Sequence, residues 1–154
     1  MEKLLIDSDV IINWLSQETE TITGNPLWMA PAAILELGER KLILNHVSLC
    51  SFLEIRYVLR RKEKRDARQI NSDLRAFESI VYRLTPDEEE LHEADRLQEE
   101  HALDPFDSIL LAQAVRKQTS LISRDLKFVN IASHYVPAMT PEQYILGVIG
   151  KPEE

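Results

Sequence analysis

The stretch that decides the fold is Leu4-Leu-Ile-Asp-Ser-Asp-Val-Ile-Ile-Asn-Trp-Leu15. Leu4, Leu5 and Ile6 form a short apolar run that reads as a buried strand. Asp7-Ser8-Asp9 interrupts it, and from Val10 the apolar residues resume in a pattern that reads as a helix. Two carboxylates therefore stand at a strand end. In an open α/β sheet the crevice outside the carboxyl ends of the strands is where ligands bind.

The rest of the chain continues the alternation. Residues 26–41 carry Leu27, Ala30, Ile34 and Leu37 at helical spacing, with Gly38 weakening the last turn. Residues 46–49 read as a strand, 52–68 as a helix, and a further helix follows through Leu74, Phe77 and Ile80 after a break near 66–71. Residues 81–84 and 119–123 read as strands, and Tyr135-Val136 as a last edge strand. Thr85-Pro86 and Asp104-Pro105 look like helix starts, each a capping side chain followed by proline at the first helical position. Residues 141–146 close the chain as a short helix. Strands alternating with helices predict an α/β fold of three layers, α/β/α, around a central mostly parallel sheet.

Length and composition bound the rest. The 154 residues, 44% of them hydrophobic, fit one domain with one core. No apolar run is long enough to span a bilayer, and the first residues lack the apolar segment of a signal peptide, so a cytoplasmic protein with no membrane partner is expected. The single Cys50 reads as a small buried hydrophobe. The net charge of −8 argues against a nucleic-acid binder that uses its whole surface, but charge is unevenly spread. Residues 87–100 hold eight acids against Arg96 alone, a net of −7, whereas residues 56–68 hold seven bases against Glu63 and Asp66, a net of +5. The four histidines show no metal-ligand spacing.

Four acids fall where such a fold brings side chains together: Asp7, Glu54, Asp107 and Asp125. Asp7 and Asp125 follow short strands, and Glu54 and Asp107 lie in early turns of helices. Carboxylates gathered in a semi-buried cleft repel one another, and they converge only if protons or a divalent cation compensate; Mg²⁺ or Mn²⁺ is the natural candidate. Each acid also has a plainer reading. Asp7 is a strand-end acid competing with Asp9 for the helix cap, and Asp9 is the expected cap. Glu54 is a surface helix residue, Asp107 a first-turn acid meeting the helix dipole, and Asp125 a cap of the helix that follows.

In this order the segments resemble the PIN domain family, metal-dependent nucleases that include VapC-type toxins. Leu4 to Ile12 is similar to the family's opening strand, with Asp7 as metal-binding acid and Ser8 as its supporting hydroxyl. Val47-Ser-Leu-Cys-Ser-Phe-Leu-Glu54 resembles the segment that delivers the second acid. Leu103-Asp-Pro-Phe-Asp-Ser-Ile-Leu-Leu-Ala-Gln-Ala114 resembles the family's most recognisable segment, and Leu121-Ile-Ser-Arg-Asp-Leu-Lys-Phe128 its hydroxyl-x-acid strand end, with Ser123 in place of the usual threonine. Asp9 stands where asparagine is common, and residues 16–45 match loosely.

The resemblance implies one PIN-like nuclease domain over residues 1–150 with a tail at 151–154, and hydrolysis of RNA with Mg²⁺ or Mn²⁺. Asp7, Glu54, Asp107 and Asp125 would be the catalytic metal ligands, supported by Ser8 and Ser123, and Arg61 and Arg65 would contact substrate phosphates. It also implies a small antitoxin partner and a homodimer, for which Trp14, Leu27, Trp28 and Met29 are candidate anchors; core packing is the plainer reading of these four, most of all for Leu27. A noncatalytic PIN-type binding module is one alternative. A haloacid-dehalogenase-like phosphohydrolase, whose strand also ends in Asp-x-Asp, is another, although no adjacent Asp-Asp pair follows Asp9 and no later lysine motif is evident.

Overall fold

In the computed structural model residues 1–150 are described, and the tail expected at 151–154 lies outside them. Strand β1 (Glu2–Ile6) sits at the middle of the sheet because its side chains alternate between two cores. Leu4 and Ile6 enter a cluster with Val10, Ile11, Ile34, Val47, Phe52, Ile55, Leu74 and Phe77. Leu5 points the other way, into a cluster with Leu97, Leu110, Leu111, Leu121 and Phe128. A strand buried on both faces has no room for a polar side chain, which is why the run is apolar without alternation.

Around it lie α1 (Ser8–Ser16), α2 (Met29–Glu39), β2 (Ile43–Ser48), α3 (Leu49–Arg61), α4 (Ala67–Glu78) and β3 (Tyr82–Leu84). The chain continues through α5 (Glu88–Glu100), α6 (Pro105–Lys117), β4 (Ser120–Ile122), α7 (Leu126–Ala132), β5 (Ala138–Met139) and α8 (Pro141–Ile149). Among the described residues five strands are ordered β3-β2-β1-β4-β5, and each pairing between them is parallel. Helices α1 to α4 and α8 contribute to the first cluster, and α5 to α7 to the second, so the sheet is the middle of three layers. Among the described residues no helix is long and apolar enough to cross a membrane.

Several elements depart from the sequence expectations. The helix expected over 52–68 starts at Leu49 and stops at Arg61, and Lys64, at φ 54°, turns the chain before Asp66 caps α4. The row Arg56, Arg60, Lys64, Arg68 is therefore not one helix face. Helix α5 is capped by Asp87, not Thr85, in a capping box with Glu90. The last strand pairs Ala138 with Leu121, three residues beyond Tyr135. Trp14 packs against the first core, its ring centroid 5.8 Å from that of Phe77, so it is not a free docking anchor, whereas Met29 is exposed. Cys50 is half-buried, and burial pushes its thiol up.

Candidate functional site

Strand order places the site. From β1 the chain builds outward to β2 and β3, then returns to the other side of β1 to lay down β4 and β5. The reversal falls between β1 and β4, and a crevice opens outside the carboxyl ends of strands at such a point. Asp7 and Ser123 stand there, one residue beyond the paired Ile6 and Ile122, and the Asp7 N–H donates to the Ile122 carbonyl at 2.9 Å.

The neighbouring elements deliver the other acids. Ser48, at the end of β2, caps α3 and so aims its second turn, with Glu54, at the same edge. Asp104 caps α6 by accepting from the Asp107 N–H at 2.8 Å, with Pro105 at the first helical position, and this sets Asp107 in the first turn. The apolar stripe behind it, Leu110, Leu111 and Ala114, is fully buried. Asp125 caps α7, its Oδ1 accepting from the Phe128 N–H at 3.2 Å, while its own N–H donates to Ser123 Oγ at 3.2 Å.

Asp7, not Asp9, is the cap of α1, which begins at Ser8 rather than near Val10. Its Oδ1 accepts from the Ser8 N–H at 2.7 Å, and its Oδ2 from the Ser123 hydroxyl at 2.8 Å. The expectation that Asp9 caps α1 is thereby corrected. Asp9 lies in the first turn, where its Oδ2 accepts from the Arg124 N–H at 3.1 Å and its Oδ1 is buried without a partner among the described residues.

The acids feel one another. Burial is the first cause that raises the Asp7 carboxyl above its ordinary value, and the Asp125 charge adds to it, while bonds from Ser123 and Ser8 hold it down. Burial followed by the Asp7 charge pushes Asp9 up to about 8. Burial, then Asp7 and Asp104, push Glu54 up to about 7; the Ser8 hydroxyl moderates the rise. Burial, then Asp7, Asp104, Asp125 and Glu54, push Asp107 up to about 8. One negative field therefore links all four expected acids, and it also takes in Asp9 and Asp104, which the sequence suggested only as caps.

Arg124 is the structural residue that sequence reasoning missed. Its guanidinium pairs with Glu142 at 2.8 Å, bonds Asn13 and reaches the Leu27 carbonyl, and so pins the turn after β4 to α1, the loop before α2, and α8. Only its position between Ser123 and Asp125 hinted at a role; its partners lie far off in sequence.

The two expected phosphate contacts differ. Arg61 is exposed at the end of α3 and has no carboxylate partner among the described residues. Arg65 is largely enclosed: it pairs with Asp73 at 2.9 Å and Glu63 at 3.1 Å and donates to the Leu15 carbonyl. Its guanidinium ties the turn after α3 to the end of α1, where two carboxylates already engage it.

Among the described residues no three carboxylate, imidazole or thiolate groups form a ready-made metal cage. The donors that converge are all hard oxygens, mutually repelling, with one buried Asp9 oxygen left without a partner among the described residues. That set fits a hard divalent cation. Mg²⁺ in particular is held by one or two carboxylates, its own waters and substrate phosphate, not by a closed protein cage.

The profile of the family described as PIN domain matches residues 4–133. No curated protein sequence matches the chain. Among solved structures, VapBC2 from Rickettsia felis, bound to a DNA fragment from its promoter, superposes with a TM-score of 0.70 at 12% identity, covering 90% of this chain and 98% of that one. A toxin–antitoxin complex from Klebsiella pneumoniae gives 0.64 at 20% identity, covering 90% and 97%. VapC20 from Mycobacterium tuberculosis, a toxin that cleaves the sarcin-ricin loop, gives 0.63 at 14% identity, covering 86% and 96%. At these identities the likeness establishes a shared fold.

Proposed function

This chain belongs to the PIN domain family, and from that premise we propose that it is a metal-dependent endoribonuclease acting as the toxin of a toxin–antitoxin pair in the cytoplasm. The observation that carries the proposal is the shared negative field of Asp7, Glu54, Asp107 and Asp125 at the point where strand order reverses. A noncatalytic module has no need to hold such mutually repelling acids in one crevice. Family membership also replaces the phosphohydrolase reading of Asp7-Ser8-Asp9.

In the mechanism Asp7, Glu54 and Asp107 would hold Mg²⁺ or Mn²⁺, and Asp125 would assist. The bound ion would polarise the scissile phosphate and offset charge developing on the leaving oxygen. Ser8 and Ser123 keep the Asp7 carboxylate in one orientation, and Arg124 holds the strand turn that carries Ser123 and Asp125. Glu54 and Asp107, which burial and the neighbouring carboxylates raise above the ordinary carboxylate range, would hold the cation in their deprotonated form. Arg61, at the end of the helix that carries Glu54, attracts the RNA backbone without regard to sequence.

A small antitoxin is the proposed protein partner, as in the toxin–antitoxin complexes among the structural neighbours, and a homodimer is the proposed assembly. The primary test is cleavage of single-stranded RNA with and without Mn²⁺ by the wild type, Asp7→Ala and Asp107→Ala. Each substitution should cost about 10²- to 10⁴-fold, the equivalent of several kcal/mol of charge stabilisation. Activity that needs no metal, or that survives both substitutions, rejects the proposal.

A further inference from the structure

A groove of about 510 Å³ opens beside the acids, between α3 and the first turn of α6, lined by Leu53, Glu54, Tyr57, Val58, Lys62 and Phe106. Its size is that of an ordinary ligand cleft. Glu54 belongs both to this groove and to the acid cluster, so the two are continuous. Apart from Glu54 and Lys62 the lining is aliphatic or aromatic, yet Leu53 is 59%, Tyr57 61% and Phe106 38% exposed. Neither aromatic ring takes part in an aromatic pair among the described residues. Rings left bare in this way beside a reactive site mark a surface that something covers.

The charges around the groove narrow what that something is. On one side stand carboxylates that accept an anion only across a cation, and Lys62 at the other side has no carboxylate partner among the described residues. An apolar peptide side chain would fill the groove but would answer neither charge. A nucleotide answers both, with a flat face for the rings and phosphates on either side of it. Proteins that read unpaired RNA stack its bases on exposed aromatic side chains in this manner.

We infer that the groove is a base-stacking subsite for the nucleotide next to the scissile phosphate, in which Tyr57 and Phe106 supply the ring faces and Lys62 holds the following phosphate. The inference rests on the ribonuclease reading and goes beyond it by assigning the side chains that select an unpaired nucleotide.

Two measurements test it. The first is cleavage of single-stranded RNA, intact or with one abasic nucleotide placed in turn on each side of the cut. Tyr57→Ala should lower kcat/KM on intact RNA by about ten- to a hundred-fold, the size of one lost base stack, and Tyr57→Phe should restore it. One abasic position should slow the wild type by the same factor and slow Tyr57→Ala no further. The second is binding of RNA carrying 2-aminopurine at that position to an Asp107→Asn variant that does not cleave. Its fluorescence should be quenched on binding, and the added Tyr57→Ala should abolish the quench.

Intact cleavage by Tyr57→Ala, penalties that multiply, or a quench that survives Tyr57→Ala would overturn the subsite and leave the groove to a protein partner. Absence of cleavage by the wild type, with a Tyr57-dependent quench, would remove the ribonuclease reading and keep the subsite.

Discussion

Ser123 donates its hydroxyl hydrogen to Asp7 Oδ2 over 2.8 Å, between residues 116 positions apart. Both atoms are buried, so the bond fixes the carboxylate without competition from water. Ser123→Ala should leave the protein folded and lower cleavage by about 10- to 100-fold, the usual loss when a ligand's supporting hydrogen bond is removed. Ser123→Thr, which keeps the hydroxyl, should restore activity. Equal rates for the alanine and threonine variants would refute this role.

Protonation of the crevice ties stability to pH. Asp107 is raised to about 8 and Glu54 to about 7 in the folded chain, against roughly 4 when unfolded. Between those values the folded state binds more protons. Stability from these groups is therefore complete below about pH 4 and lost as pH rises through 7 to 8. Without divalent cations the melting temperature of the wild type should fall from pH 5 to pH 8 more steeply than that of Asp107→Asn. Mn²⁺ should raise it more at pH 8 than at pH 5, because cation and proton compete for the same oxygens. Parallel slopes for wild type and variant would contradict the assignment.

Arg61 and Arg65 should separate binding from folding. Arg61→Gln should weaken RNA binding and reduce its log–log salt slope by about one, with the melting curve unchanged. Arg65→Gln removes the partner of Asp73 and Glu63 and should instead cost about 1–3 kcal/mol of stability. Urea titrations and salt-dependent binding measured on the same two variants check both halves, and a reversed pattern would restore Arg65 as the substrate contact.

Gly38 is required by its neighbour. A Cβ there would overlap the amide of Asn45, which is buried on β2 and donates to the Ile34 carbonyl at 3.0 Å. Gly38→Ala gains about 1 kcal/mol of helix propensity but must displace that amide and leave the carbonyl unpaired, at about 1–3 kcal/mol each. Net destabilisation of about 1–5 kcal/mol is expected by urea unfolding, and a stabilised variant would show that the amide moves freely.

The sequence alone determined the elements whose local signals agree with their surroundings. Leu4-Leu-Ile6 is apolar on both faces and became the central strand; Asp104-Pro105 carries its own cap and became the start of α6. The order of Asp7, Glu54, Asp107 and Asp125 pointed to one rim of a parallel sheet, because strand ends and helix starts face the same edge. Tertiary structure decided what depends on partners far along the chain. Asp7 rather than Asp9 caps α1 because Ser123 fixes Asp7 and the Arg124 N–H claims Asp9. Arg61 and Arg65 look alike in a basic run, and only the positive φ of Lys64, which swings Arg65 toward Asp73 and Leu15, separates a free cation from a structural one. Side-chain spacing reports on a residue's own helix or strand, whereas hydrogen bonds and charge fields depend on distance in space, and those distances exist only once the sheet has brought β1 and β4 together.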